Sequence, residues 1–113
     1  MQQPEPTPAE ERTEPAPRLG MSRALFPLGR IVATPGALAA LGAAGTSSLE
    51  LLERHVTGDW GELDDPDQRE NWLAVRQGFR VLSAYRLPRT GAMVWVISEA
   101  DRSGTTFLLP EEY

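Results

Sequence analysis

A chain of 113 residues has room for one modest core, and without cysteine it can hold neither a disulfide framework nor a thiolate metal site. Its formal net charge of −5 argues against the many phosphate contacts of nonspecific duplex binding. No window approaches the ~18 apolar residues of a membrane span.

Residues 1–22 are rich in proline, glutamate, glutamine and threonine, among them Pro4, Pro6, Pro8, Glu10, Glu11, Pro15 and Pro17. Such a segment buries too little apolar surface to offset the entropy of ordering, so it is expected to be a disordered tail. It lacks the basic start and apolar stretch of a secretory signal, which points to a soluble cytoplasmic protein. Met21 stands just before the first foldable segment and is an alternative start. Residues 23–113 are expected to form a single domain.

Leu28 to Thr34 reads as a short strand. Thr34-Pro35 then supplies a capping hydroxyl and a proline at the first helical position. The helix runs to about Ala44, with Leu38 and Leu41 on one face, and Gly45 ends it. Ser47 and Glu50 have the spacing of a capping box for a second helix, which carries Leu49, Leu52 and Val56 and stops at Gly58. Asp59-Trp60-Gly61 is a turn with one large aromatic. Asp65-Pro66 opens a third helix, with Trp72 and Leu73 as its apolar side and Gly78 as its end.

From Phe79 the pattern becomes that of strands: Phe79–Leu87, Met93–Ser98 and Thr105–Leu109, separated by turns at Pro88–Gly91 and Asp101–Gly104. The order β-α-α-α-β-β-β predicts an α+β domain. A short strand and two to three helices precede a three-stranded antiparallel meander, with the helices on one sheet face.

A four-residue turn pairs Leu87 with Ala92, which sets Arg80 opposite Glu99 and Ala84 opposite Trp95. One face then carries Phe79, Val81, Ser83, Tyr85, Val94, Val96, Phe107 and Leu109, the expected core under the helices. The other carries Arg80, Leu82, Ala84, Arg86, Met93, Trp95, Ile97, Thr106 and Leu108. That second face is too apolar for ordinary solvated surface, yet it bears arginines. An apolar patch rimmed by charge marks an interaction site, and aromatic residues, methionine and arginine are favoured at interface centres. Three occupants are open at this point: a protein partner, a second copy in a homodimer, or another part of the same chain.

Little in the sequence points to catalysis. His55, the only histidine, falls at the end of the second helix, where an imidazolium would complement the helix dipole. No nucleophile elbow accompanies it. The acidic run Asp59, Glu62, Asp64, Asp65, Asp67 and Glu70 breaks the order of a calcium loop at Pro66 and suits helix-start carboxylates instead. Neither a phosphate loop nor zinc-ligand spacing is present, so no metal and no cofactor is expected. In Glu99-Ala100-Asp101-Arg102-Ser103, Asp101 and Ser103 are expected to bond turn backbone and Gly104 to take the unusual angle. The alternative makes Asp101 and Arg102 recognition residues.

Charge is unevenly spread. Glu50–Val75 holds eight acids against two arginines, −6, whereas Arg76–Arg102 holds five arginines against two acids, +3. The eleven basic residues are all arginine, as in a GC-rich bacterial genome, or through selection for planar guanidinium contacts.

Leu28-Gly-Arg-Ile-Val-Ala-Thr-Pro-Gly-Ala-Leu, Gly58-Asp-Trp-Gly, Val94-Trp-Val-Ile-Ser-Glu-Ala-Asp-Arg-Ser and Leu108-Leu-Pro-Glu-Glu-Tyr113, in that order, resemble a family of small uncharacterised bacterial "plasmid-related" proteins of mobile elements. The resemblance implies no activity. It is compatible with a non-enzymatic protein-interaction module whose binding residues are Arg80, Arg86, Met93, Trp95, Glu99, Asp101 and Arg102. The alternative is an RNA-binding or RNA-cleaving toxin of a toxin–antitoxin type, for which the element order is a fold-level analogy. There the arginines would work with stacking by Trp95 or Tyr85. The acidic balance argues against nucleic acid as the partner but keeps it as that alternative.

Overall fold

The computed structural model describes residues 23–113, so the expected disorder of residues 1–22 and the status of Met21 lie outside the described residues. The chain is α+β: β1 (Arg30–Ala33), α1 (Pro35–Ala44), α2 (Ser48–Thr57), α3 (Asp65–Gln77), β2 (Val81–Arg86), β3 (Met93–Ser98), β4 (Gly104–Leu108) and a closing 3-10 turn, Pro110–Glu112. The four strands form one sheet in the order β1-β4-β3-β2. The β2–β3–β4 meander is antiparallel in the expected register, with Ala84 opposite Trp95. β1 lies parallel to β4, Arg30 beside Gly104 and Ala33 beside Phe107, so the whole sheet is mixed.

Local chemistry sets the helix ends. The Thr34 hydroxyl accepts from the Ala37 N–H at 3.0 Å, with Pro35 in the first turn. Asp64, one residue before the expected position, caps α3 by accepting from the Asp67 N–H at 3.0 Å. Ser47 accepts from the Leu49 N–H at 3.1 Å rather than from Glu50, so it caps α2 without the reciprocal box. All three helices end on left-handed glycines, Gly45, Gly58 and Gly78.

The main core joins Ala37, Leu41 and Ala44 of α1 and Leu51 and Leu52 of α2 to Tyr85, Val94, Val96 and Phe107 on the sheet. A second cluster gathers Phe26, Val56, Trp60, Ala74 and Val81. Three expected core positions are outside it. Leu38 is 58% exposed, because α1 meets the sheet through small Ala37 and Ala44 and Leu38 sits a quarter-turn away. α3 buries Asn71 and Ala74, leaving Trp72 partly exposed against Trp60. Phe79 is 52% exposed, since the ladder begins only at Val81.

The edge of β2 is closed. Asn71 imitates a strand: its side-chain N–H donates to the Leu82 carbonyl at 2.7 Å and its oxygen accepts from the Leu82 N–H at 3.2 Å. Two residues on, the Ala84 N–H donates to the Trp60 carbonyl at 3.1 Å, and the Glu62 N–H donates to the Ala84 carbonyl at 2.7 Å. Gly61 lies between these bonds at φ +76°, where a Cβ would strike the Ala84 carbonyl; only glycine lets the segment lie so close. Among the described residues nothing pairs with the opposite edge, on β1.

Candidate functional site

Two polar assemblies stand out, one sealed inside the domain and one spread over the outer sheet face. The inner one centres on His55, which is fully buried. α2 presents its ring to the sheet between Ser83 of β2 and Ser98 of β3, whose hydroxyls lie 2.6 Å from Nδ1 and 3.0 Å from Nε2. Thr105 of β4 donates to the Leu28 carbonyl at 2.7 Å. Its proton being committed, Thr105 accepts from Ser98 at 2.6 Å. Ser98 in turn accepts from Nε2–H, which leaves Nδ1 bare to accept from Ser83. The chain of donors thus selects the Nε2–H tautomer. At the other end Tyr85 donates to the Asp59 carbonyl at 2.7 Å and touches the Ser83 hydroxyl at 3.1 Å.

Burial, and secondarily the positive charge of Arg102, brings the His55 pKa down to about 3. His55 is therefore neutral, which corrects the expectation of a cation at the helix end. Burial likewise raises the Tyr85 hydroxyl well above the ordinary phenol range. Phe26 stands edge-on to the imidazole at 5.3 Å, and Arg102 lies over Phe26 at 5.1 Å. With every ring nitrogen satisfied and no surface exposed, His55 ties α2 to three strands and offers no substrate a place to react. Sequence reasoning missed this because Ser83, Ser98 and Thr105 look like ordinary inward strand positions; their small hydroxyls in one row were the available signal.

The outer face carries Arg86, Met93 and Trp95 of the candidate binding residues, with Arg80 at the end of the same ladder. Across the sheet, Val32, Thr106, Ile97 and Leu82 form one row, and Leu108, Trp95 and Ala84 the next. Ile97, Ala84 and Leu108 are buried, whereas Met93 and Trp95 are half-buried. Part of the cover comes from Tyr113. Its ring meets Trp95 edge-on at 5.5 Å, and its hydroxyl accepts from Arg80 at 2.8 Å. Tyr113 itself is 70% exposed, so this cover is thin.

The charged candidates divide. Arg80 also reaches Glu99 at 3.5 Å across the ladder. Arg86 is at the far end of β2, bonded to Glu62 at 3.2 Å and donating to the Gly91 carbonyl at 2.9 Å. Asp101 accepts from the Ser103 N–H at 2.9 Å and shapes the turn, as expected. Arg102, not Gly104, takes the left-handed angle, φ +60°. It donates to the carbonyls of Phe79 (2.6 Å), Glu99 (3.0 Å) and Ala74 (3.0 Å). Arg102 thereby clamps the end of α3 to the β3–β4 turn. Arg102→Ala strips these acceptors of a charged donor and is expected to cost about 2 kcal/mol, read as a lower urea midpoint at unchanged slope.

Among the described residues no three histidine, aspartate or glutamate side chains gather as a metal site, and no helix is long and apolar enough to cross a membrane. No protein-family model, no curated protein and no solved structure matches the chain.

Proposed function

We propose that the chain is a non-enzymatic protein-interaction module that docks a partner on the outer sheet face. The observation that carries this reading is Met93 and Trp95, neighbours on the outer face of β3 that stay partly accessible where Ile97, Ala84 and Leu108 are buried, with Arg80 and Glu99 toward the other end of the β2–β3 ladder. Trp and Arg are the side chains on which binding energy concentrates. The expected partner is a protein segment with an apolar anchor for the ground beside Trp95. The likeness to plasmid-related proteins suggests a protein of the same mobile element. The RNA reading is left with less support, because Arg80 and Arg86 are paired with acids and Arg102 is spent on backbone carbonyls.

Trp95→Ala tests the proposal. A purified partner is expected to lose ~2 kcal/mol or more of affinity for the variant, about 30-fold in Kd, with the urea midpoint showing the domain still folded. Partners bound equally by wild type and variant would remove the reading.

A further inference from the structure

We propose that two copies of this chain pair antiparallel through β1 across a two-fold axis at Val32, making one continuous eight-stranded sheet. The two edges of the sheet are unequal. The β2 edge is closed by Asn71 and by the Trp60–Glu62 segment. On β1 the Arg30 and Thr34 N–H groups donate to the Ser103 and Phe107 carbonyls. The parallel register therefore turns the backbone groups of Ile31 and Ala33 away from β4, toward the open edge. Ile31 and Val32 are 44% and 45% exposed, and β1 carries no lysine, proline or bulge to discourage pairing. An apolar edge of this kind is a template for another strand.

A second copy fits that template because the edge is self-complementary in charge as well as shape. Gly29 leaves the extended conformation at φ +66° and Pro35 has no N–H, so only residues 30–34 can pair. The two-fold register that uses all of them sets Val32 against Val32 and Ile31 against Ala33. Arg30 then faces Thr34 of the other copy. The Thr34 hydroxyl donates to Glu112 at 2.7 Å, so each Arg30 arrives beside a carboxylate of the other copy. Among the described residues Arg30 has no acidic partner within its own chain. The dimer thus gains two ion pairs related by the axis. A closed isologous contact of this kind stops at two copies.

Sedimentation of the full chain at rising concentration tests this. Wild type is expected to dimerise, and the Ile31 and Ala33 amides to become protected from hydrogen exchange as it does. Ile31→Pro removes an outward donor while sparing the bonds to β4, and should abolish the dimer. Arg30→Glu and Glu112→Arg should each weaken it about tenfold or more by like-charge contacts. An equimolar mixture of these two variants restores both ion pairs and should dimerise like wild type, which separates lost pairing from lost folding. A wild type that stays monomeric to about 1 mM overturns the proposal. So does protection of Ile31 and Ala33 in the monomer, which would place another part of the same chain on this edge. A dimer indifferent to Ile31→Pro, or a mixture of folded charge variants that does not pair, overturns it equally.

Discussion

Between about pH 7.5 and pH 5, above the range in which most carboxylates titrate, the protein is expected to lose about 2 kcal/mol of stability, and His55 is the cause. In the folded chain burial holds the His55 pKa down to about 3, while the unfolded chain has the ordinary value near 6.5. Above pH ~6.5 neither state binds the proton and pH has no effect. Below it the unfolded chain takes up a proton that the folded chain refuses, so stability falls by about 1.4 kcal/mol per pH unit. The loss saturates near pH 3 at ~5 kcal/mol, where the native imidazole finally charges. Asp59 adds to it at the acid end: its pKa is lowered by the hydrogen bond from Arg54, so its contribution also fades as pH falls. Urea unfolding at stepped pH measures the slope. His55→Gln keeps an amide between Ser83 and Ser98, so it should flatten the curve above pH ~5 while lowering stability at neutral pH. A wild type whose midpoint holds constant down to pH ~5 would show that His55 is not sealed from water.

Trp60→Ala is expected to be the most damaging single substitution, at ~3–5 kcal/mol. Its ring is almost wholly buried, contacts Trp72 at 4.9 Å, and donates to the His55 carbonyl at 3.0 Å. Truncation leaves a cavity in the cluster of Phe26, Val56, Ala74 and Val81 and an unsatisfied buried carbonyl at the end of α2. It also frees the segment whose bonds to Ala84 close the sheet edge. The loss should appear as a lower thermal midpoint and as faster hydrogen exchange at the Ala84 amide. An unchanged Ala84 exchange rate would mean that Gly61 and Glu62 hold the edge without the indole. Once the β2 edge opens, two sheet edges rather than one compete for strands, and aggregation follows.

The two effects share an origin. α2 delivers His55 inward to the sheet and accepts Trp60 at its own end, so one helix turn links the polar chain Tyr85–Ser83–His55–Ser98–Thr105 to the second apolar cluster. A sealed polar chain of this kind fixes how α2 sits on the strands, because any slip leaves several buried groups unpaired at once.

What the sequence by itself determined is where the helices start and stop, to within a residue, though not every local bond: Asp64 rather than Asp65 caps α3, and Arg102 rather than Gly104 takes the left-handed angle. Thr34-Pro35 starts a helix, and Gly45, Gly58 and Gly78 end three, because caps and left-handed turns are local chemistry. The strand register followed too: a turn of known length and an alternation of period two leave one pairing, and Ala84 does face Trp95. Tertiary structure alone decided which charged and aromatic groups meet. Whether Arg102 binds a ligand or three carbonyls depends on where α3 ends in space. Whether His55 is a cation depends on the depth of water around it, which no spacing records. The closure of one sheet edge by Asn71 and Gly61, and the exposure of the other on β1, came from contacts between distant segments, whose geometry exists only once the whole core has packed.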